Sequence, residues 1–180
     1  LKDGLSVVAR DRDTNRIVGF FANKMQSYSH AGEPMYFEKL LEKYKDPIFL
    51  KYLSVKAETD RSINLFHTFN CEHYFQLINL TVLREFRSRK IAYSLSEKSI
   101  ELAENMLYGI YPETMDIQHM GKVPGLIFAS ATSEHSARAV MKFGMSVMKQ
   151  TSLTEYVEDG APVTEKLPPN TYTKLLIKKL

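Results

Sequence analysis

The chain has a single cysteine, Cys71, and no tryptophan. One cysteine excludes an intrachain disulfide framework and fits a reducing, cytoplasmic setting. No Cys-His motif marks Cys71, so it reads as a small buried residue rather than a nucleophile. No apolar run approaches the ~18 residues needed to cross a bilayer, and the start is not signal-like, so no membrane role is expected. The formal net charge is only +3, too little to hold nucleic acid by bulk attraction, and any basic function has to be local. The spacing of His30, His67, His73 and His119 matches no metal-ligand motif, so no metal site is expected. Internal repeats and low-complexity tracts are also missing.

What remains is an ordinary globular composition. The chain has 180 residues, 44% hydrophobic and 25% charged. That is enough for one well-cored domain and short for two. Ser6 to Arg10 and Arg16 to Asn23 read as strands joined by the turn formers Asp11 to Asn15, hence a hairpin. Met35, Phe37, Leu40, Leu41 and Tyr44 recur at helical spacing, and Pro47 ends or restarts the helix. Asp60 to Cys71 reads only as a mixed connector. Phe75 to Leu83 is an apolar strand. A helix opens at about Ile91, with Ile91, Leu95, Leu102 and Met106 on one side, and stops at Gly109 and Pro112. Tyr111 to Pro124 is a long irregular segment. Gly125 to Ala131 is continuously apolar, as in a strand buried on both faces. Thr132 to Ser136 supplies N-cap candidates for a helix ending at Gly144. Met145 to Val157 is β-like, Glu158 to Asn170 is a Pro-rich loop, and Thr171 to Lys178 is a closing strand. The order predicts a single α/β or α+β domain with a parallel strand pair at its centre.

The polar turn after Phe75–Leu83 carries Arg84, Arg87, Arg89 and Lys90. A strand, a turn and a helix N-terminus present unpaired backbone N–H groups and the positive end of a helix dipole, which suits a phosphate or pyrophosphate. The alternative is a solvated basic turn. A nucleic-acid site built on the same four cations is the weakest reading, because no extended basic face with interleaved aromatics accompanies them. His135 lies beside a helix start, where a surface or capping role is commoner than catalysis. Tyr28, Tyr36, Phe37 and Tyr44 are open to two readings, an aromatic-amine pocket or simple packing, and packing is the expectation.

Two blocks resemble the GNAT superfamily of N-acetyltransferases in order and spacing. The first is strand, then Arg87-Ser-Arg-Lys-Ile-Ala92, then helix; the superfamily pattern there is Gln/Arg-x-x-Gly-x-Gly/Ala. The second is Ser130-Ala-Thr-Ser-Glu-His-Ser-Ala-Arg-Ala-Val-Met-Lys-Phe-Gly-Met145. Its Ser136-Ala-Arg138, with Lys142 and Gly144, is most similar to the invertebrate arylalkylamine (dopamine-type) N-acetyltransferases. The opening hairpin with Ile17-Val-Gly-Phe20 and the closing strand fit that branch too.

The resemblance implies a GNAT-like mixed, mostly antiparallel sheet with a splayed central parallel pair and flanking helices. Residues 1–180 would form one acetyl-CoA-binding domain lacking the family's N-terminal segment, where the branch keeps its catalytic glutamate. It implies an acetyl-CoA-dependent N-acetyltransferase acting on a small amine, aryl-alkyl amines among the options, as a monomer or homodimer without nucleic-acid or membrane partners. Backbone groups of Leu80, Thr81 and Val82 would pair with the pantetheine arm like an added strand. This requires an opening, expected where the central strands part at Val82 and Ala131. Amides of Arg87, Ser88, Arg89, Lys90, Ile91 and Ala92 would hold the pyrophosphate. Thr132 and Ser136 match hydroxyl positions that assist proton transfer or bind the thiol end of the cofactor. The bland reading is that Thr132 or Ser133 caps the helix and Ser136 satisfies a backbone group.

Three departures stand out. Ser88 and Lys90 replace glycines of the branch, which removes conformational freedom. Lys90 either pairs with phosphate or blocks the turn, and pairing is the expectation. Val140 occupies the position where many superfamily members have a tyrosine acid, which the arylalkylamine branch also lacks. The altered turn motivates an alternative function, a catalytically weak or inactive protein that binds coenzyme A or acyl-CoA.

Overall fold

The hairpin forms as read. In the computed structural model, which describes residues 2–28, 35–153, 157–158, 161–162 and 172–180, β1 (Val7–Arg10) pairs antiparallel with β2 (Ile17–Ser27). Asp11 closes the turn by accepting from the Thr14 amide at 2.9 Å and the Thr14 hydroxyl at 2.8 Å. The helical spacing between residues 33 and 60 resolves into two helices, α1 (Tyr36–Lys43) and α2 (Pro47–Arg61). Pro47 takes the first helical position of α2, where its missing N–H costs nothing, and Asp46 caps the Phe49 amide at 2.7 Å.

The connector from 60 to 71 holds the last residues of α2 and a short helix the sequence did not reveal, α3 (Leu65–Phe69). Asn64 caps α3, and Asn70 ends it in the left-handed region. Five residues are too few for helical periodicity to register. Then follow β3 (His73–Val82), a 3-10 turn at Arg84–Phe86, α4 (Ile91–Met106), β4 (Leu126–Ala131), α5 (Glu134–Met141) and β5 (Ser146–Ser152). The Pro-rich stretch from Glu158 lies largely outside the described residues; within it β6 (Val157–Glu158) and β7 (Ala161–Pro162) pair as a small separate ribbon. The closing strand is β8 (Tyr172–Lys179).

The main sheet runs β1-β2-β3-β4-β8-β5. Every pair is antiparallel except β3–β4. All six residues of β4 are buried, as its apolar run predicts. On one face α4 and α5 pack Leu95, Ile100, Ala137 and Val140 against Phe21, Phe75, Leu77, Ile127 and Leu176. On the other, Leu65 of α3 meets Tyr74, Leu126, Phe128 and Leu175. Beside that cluster, Phe37, Leu53 and Ala57 of α1 and α2 cover Ile78. Full burial of each large apolar side chain contributes about 1.5–3 kcal/mol, so both faces are anchored. Among the described residues, no helix is long and apolar enough to cross a membrane.

Candidate functional site

Parallel strands end at the same edge of a sheet, so the loops after β3 and β4 lie side by side. This brings the basic turn and the Thr132–Ser136 block together, and α4 packs on α5. Between them the sheet opens. Parallel pairing of β3 with β4 runs only from Phe75–Ile127 to Leu77–Ala129. Beyond Leu77, β3 continues to Val82 with β2 on one side, Leu80 opposite Phe21 and Val82 opposite Gly19. Among the described residues, its other edge has no strand partner from Ile78 onward. The parting therefore begins at Leu77 and Ala129, deeper in the sheet than the expected Val82 and Ala131.

A bulge explains the depth. Ala22 pairs with Asn79 and Asn23 with Leu77, so Ile78 is an extra residue in β3. An extra residue bends the strand and strengthens its local twist, which carries β3 away from β4. Leu80, Thr81 and Val82 consequently lie on the open edge.

The turn uses the left-handed backbone that glycine adopts most readily. Ser88 and Lys90 both have φ of 62°, in the left-handed region. For residues with a Cβ this conformation costs roughly 1–2 kcal/mol each. Contacts nearby hold it: Arg87 Nε donates to the Val82 carbonyl at 3.2 Å, the Arg89 guanidinium lies 4.8 Å from the centre of the Phe86 ring, and Arg16 pairs with Glu85 at 3.2 Å. Lys90 stands at the N-cap of α4 and makes no side-chain cap bond. The first N–H groups of α4 thus have no acceptor among the described residues, in the arrangement that binds anions. Arg87, Ser88, Arg89 and Lys90 are exposed, and Ile91 and Ala92 are half-buried.

Across the gap, Ser133 is the cap of α5, accepting from the Ser136 amide at 3.2 Å. Ser136 Oγ donates to the Ser133 carbonyl at 2.9 Å and lies 2.8 Å from Ser133 Oγ. Its proton is thereby engaged, with a lone pair left to accept. Thr132 is exposed and its hydroxyl makes no hydrogen bond among the described residues. His135 is exposed beside the helix start. Of the four aromatics, Phe37 is buried in the core and Tyr36 packs edge-on against it at 5.2 Å, as the packing reading expects. Tyr28 and Tyr44 are exposed.

The sequence did not reveal a buried polar group on the opposite face of the sheet, at the base of the gap. Lys56 and Asp60, one turn apart on α2, are each only 2% exposed. Lys56 Nζ donates to the Ser130 carbonyl at 2.6 Å and also to Ser130 Oγ. Asp60 Oδ2 accepts from Gln76 Nε2 at 2.6 Å, and Gln76 Oε1 from Gln26 Nε2 at 2.6 Å. The Phe37 ring lies 5.4 Å from Lys56 Nζ. Burial pushes Lys56 down to about 8 despite Asp60, and pushes Asp60 up to about 6 against the pull of Lys56 and the Gln76 hydrogen bond. The one available signal was spacing: two opposite charges four residues apart among Leu53, Ala57 and Thr59.

A mixed sheet whose single parallel pair parts at a bulge, beside a helix that opens uncapped, is the architecture of the GNAT fold. Comparison with solved structures agrees. The chain superposes with a TM-score of 0.75 on arylalkylamine N-acetyltransferase 2 from Aedes aegypti, at 25% identity over 99% of this chain and 74% of that one. A mosquito arylalkylamine N-acetyltransferase-like 5b gives 0.75 at 19% identity, over 98% and 74%. The Drosophila melanogaster polyamine N-acetyltransferase, an enzyme that forms N-acetylagmatine, gives 0.73 at 16% identity, over 98% and 75%. No family model and no curated protein matches the sequence.

Proposed function

We propose that the chain is an acetyl-CoA-dependent N-acetyltransferase acting on a small amine, with residues 1–180 forming one domain. The observation that carries this reading is that, among the described residues, the edge of β3 facing β4 is unpaired from Ile78 to Val82 and leads into the basic turn and the uncapped start of α4. Backbone N–H groups from Ser88 to Ala92 hold the pyrophosphate; the expected Arg87 amide is engaged by the Arg84 carbonyl at 3.3 Å, and Arg87 contributes through its side chain, which with Lys90 adds charge-assisted bonds. Backbone groups of Leu80, Thr81 and Val82 pair with the pantetheine arm as an added strand does. The fit is physical: an unpaired strand edge needs a hydrogen-bonding partner, and an uncapped cationic helix end needs an anion.

Acetyl-CoA supplies the acyl group as an activated thioester. The chain's residues do the rest. Holding donor and amine together removes much of the entropic barrier. The amine has to lose a proton, and the departing thiolate has to gain one. Among the described residues the Thr132 hydroxyl makes no hydrogen bond and Ser136 keeps a lone pair to accept, so the two are assigned to proton handling where β4, just past Ser130, gives way to α5. The structural neighbours named above act on arylalkylamines and on polyamines, which supports an amine acceptor without choosing between those classes. The same reading places the protein in the cytoplasm.

The binding-only alternative drew its motive from the missing glycines. The turn holds left-handed geometry at Ser88 and Lys90 without them, which weakens that motive. Acetyl-CoA offered with a panel of aryl-alkyl amines and polyamines, with free thiol followed over time, tests the choice. Amine-dependent thiol release is expected. Coenzyme A binding without such release would instead establish the alternative.

A further inference from the structure

Two opposite charges buried near one another gain little over well-packed apolar side chains, because desolvation offsets the attraction. Lys56 and Asp60 nonetheless interrupt the apolar side of α2, and their partners have particular positions. Gln76, held by Asp60, directly precedes Leu77, the last residue of β3 paired with β4. Ser130, held by Lys56, directly follows Ala129, the last residue of β4 paired with β3. The helix therefore grips both strands where they part. Positions i and i+4 on a helix are about 6 Å apart along its axis, so α2 acts as a rigid spacer under the split.

We infer that Lys56 is a positioning residue for acyl transfer: by holding the carbonyl and hydroxyl of Ser130 while Asp60, one turn on, holds Gln76, it sets the width of the gap at the end where the thioester must lie. The inference rests on the reading of the gap as the donor site. It assigns Lys56 no contact with the anionic end of the donor, which the turn from Arg87 to Ala92 holds. Loss of this grip should therefore affect turnover and spare affinity.

The test uses the full chain. Lys56→Met alone leaves the Asp60 carboxylate buried without its cation and should lower the unfolding midpoint. Lys56→Met with Asp60→Asn removes both charges, keeps an acceptor for Gln76, and should restore the midpoint. If the pair serves stability alone, this double variant works like the wild type. If Lys56 positions Ser130, kcat falls by about tenfold or more while coenzyme A affinity by calorimetry and donor KM stay within about twofold. Ser130→Ala, which removes one of the two groups Lys56 holds, should also lower kcat at unchanged affinity. Wild-type kcat in a folded double variant overturns the inference; should that variant not fold, wild-type kcat in Ser130→Ala does so. A wild-type protein that neither binds nor transfers removes the donor site and this inference together, whereas active wild type with insensitive variants removes the inference alone.

Discussion

Ser88 and Lys90 flank Arg89 with the same left-handed backbone, φ 62° at each. The turn is thus held against its local preference by its surroundings. Glycine at either position should relieve that conflict. Ser88→Gly is expected to raise the unfolding free energy by about 0.5–1 kcal/mol, measured by urea denaturation. Lys90→Gly should bring a similar gain in stability and yet weaken coenzyme A binding, because it removes a cation from the anion site. Tighter binding by calorimetry would show instead that the Lys90 side chain obstructs the turn.

Replacing Arg87 and Lys90 together by alanine should weaken coenzyme A binding by about 1–3 kcal/mol through lost charge-assisted bonds. Wild-type affinity should fall as salt rises, and that dependence should flatten in the double variant. Equal affinities at low salt would remove the turn from the donor site. Arg87 also holds the Val82 carbonyl, so the unfolding midpoint has to be recorded alongside.

Ser133 and Ser136 separate capping from chemistry. Ser133→Ala removes the cap of α5 and should cost about 0.5–2 kcal/mol of stability. Ser136→Ala should lower kcat with coenzyme A affinity nearly intact if Ser136 handles a proton. An unchanged kcat in the folded Ser136→Ala protein would leave Ser136 a structural role only.

The Lys56–Asp60 pair predicts the form of the stability profile against pH. Asp60 is raised in the folded state from 3.8 to about 6. Between those values the unfolded chain has released the proton that the folded chain keeps, so this contribution falls as pH rises through that window. Lys56 is lowered from 10.5 to about 8. Above pH about 8 the folded chain gives up a proton that the unfolded chain retains, so stability from this group recovers towards pH 10.5. Unfolding free energies of wild type minus the Lys56→Met, Asp60→Asn double variant should therefore dip between the two windows. A flat difference would mean that both groups titrate alike in the two states.

Much of this was legible in the sequence. The hairpin, the break at Pro47, β3, α4, the buried β4 and the helix ending near Gly144 all follow from periodicity, turn formers and helix stops. The basic turn was legible because strand, cations and helix start are contiguous. The depth of the gap was not, since strand parting depends on register between chains of residues distant in sequence. A trace of it was present: Phe75 and Leu77 face α4 as odd-numbered residues, whereas Leu80 and Val82 do so as even-numbered ones. Lys56 and Asp60 were missed for a different reason. Lys56 lay in a stretch read only for its apolar spacing and Asp60 at the start of the mixed connector, and only the tertiary fold buries them together.

The change of alternation at Ile78 has a consequence for how the chain tolerates insertions and deletions. Residue count along β3 has a parity, and one residue reverses it. A chain one residue shorter here would turn Leu80 and Val82 towards α2, and a straight β3 would remain in reach of β4 along its whole length. The sheet would zip shut, with the same composition and nearly the same core. In β-sheets of this kind, capacity to admit a ligand can be gained or erased by a single codon, without any change in the residues that would touch the ligand.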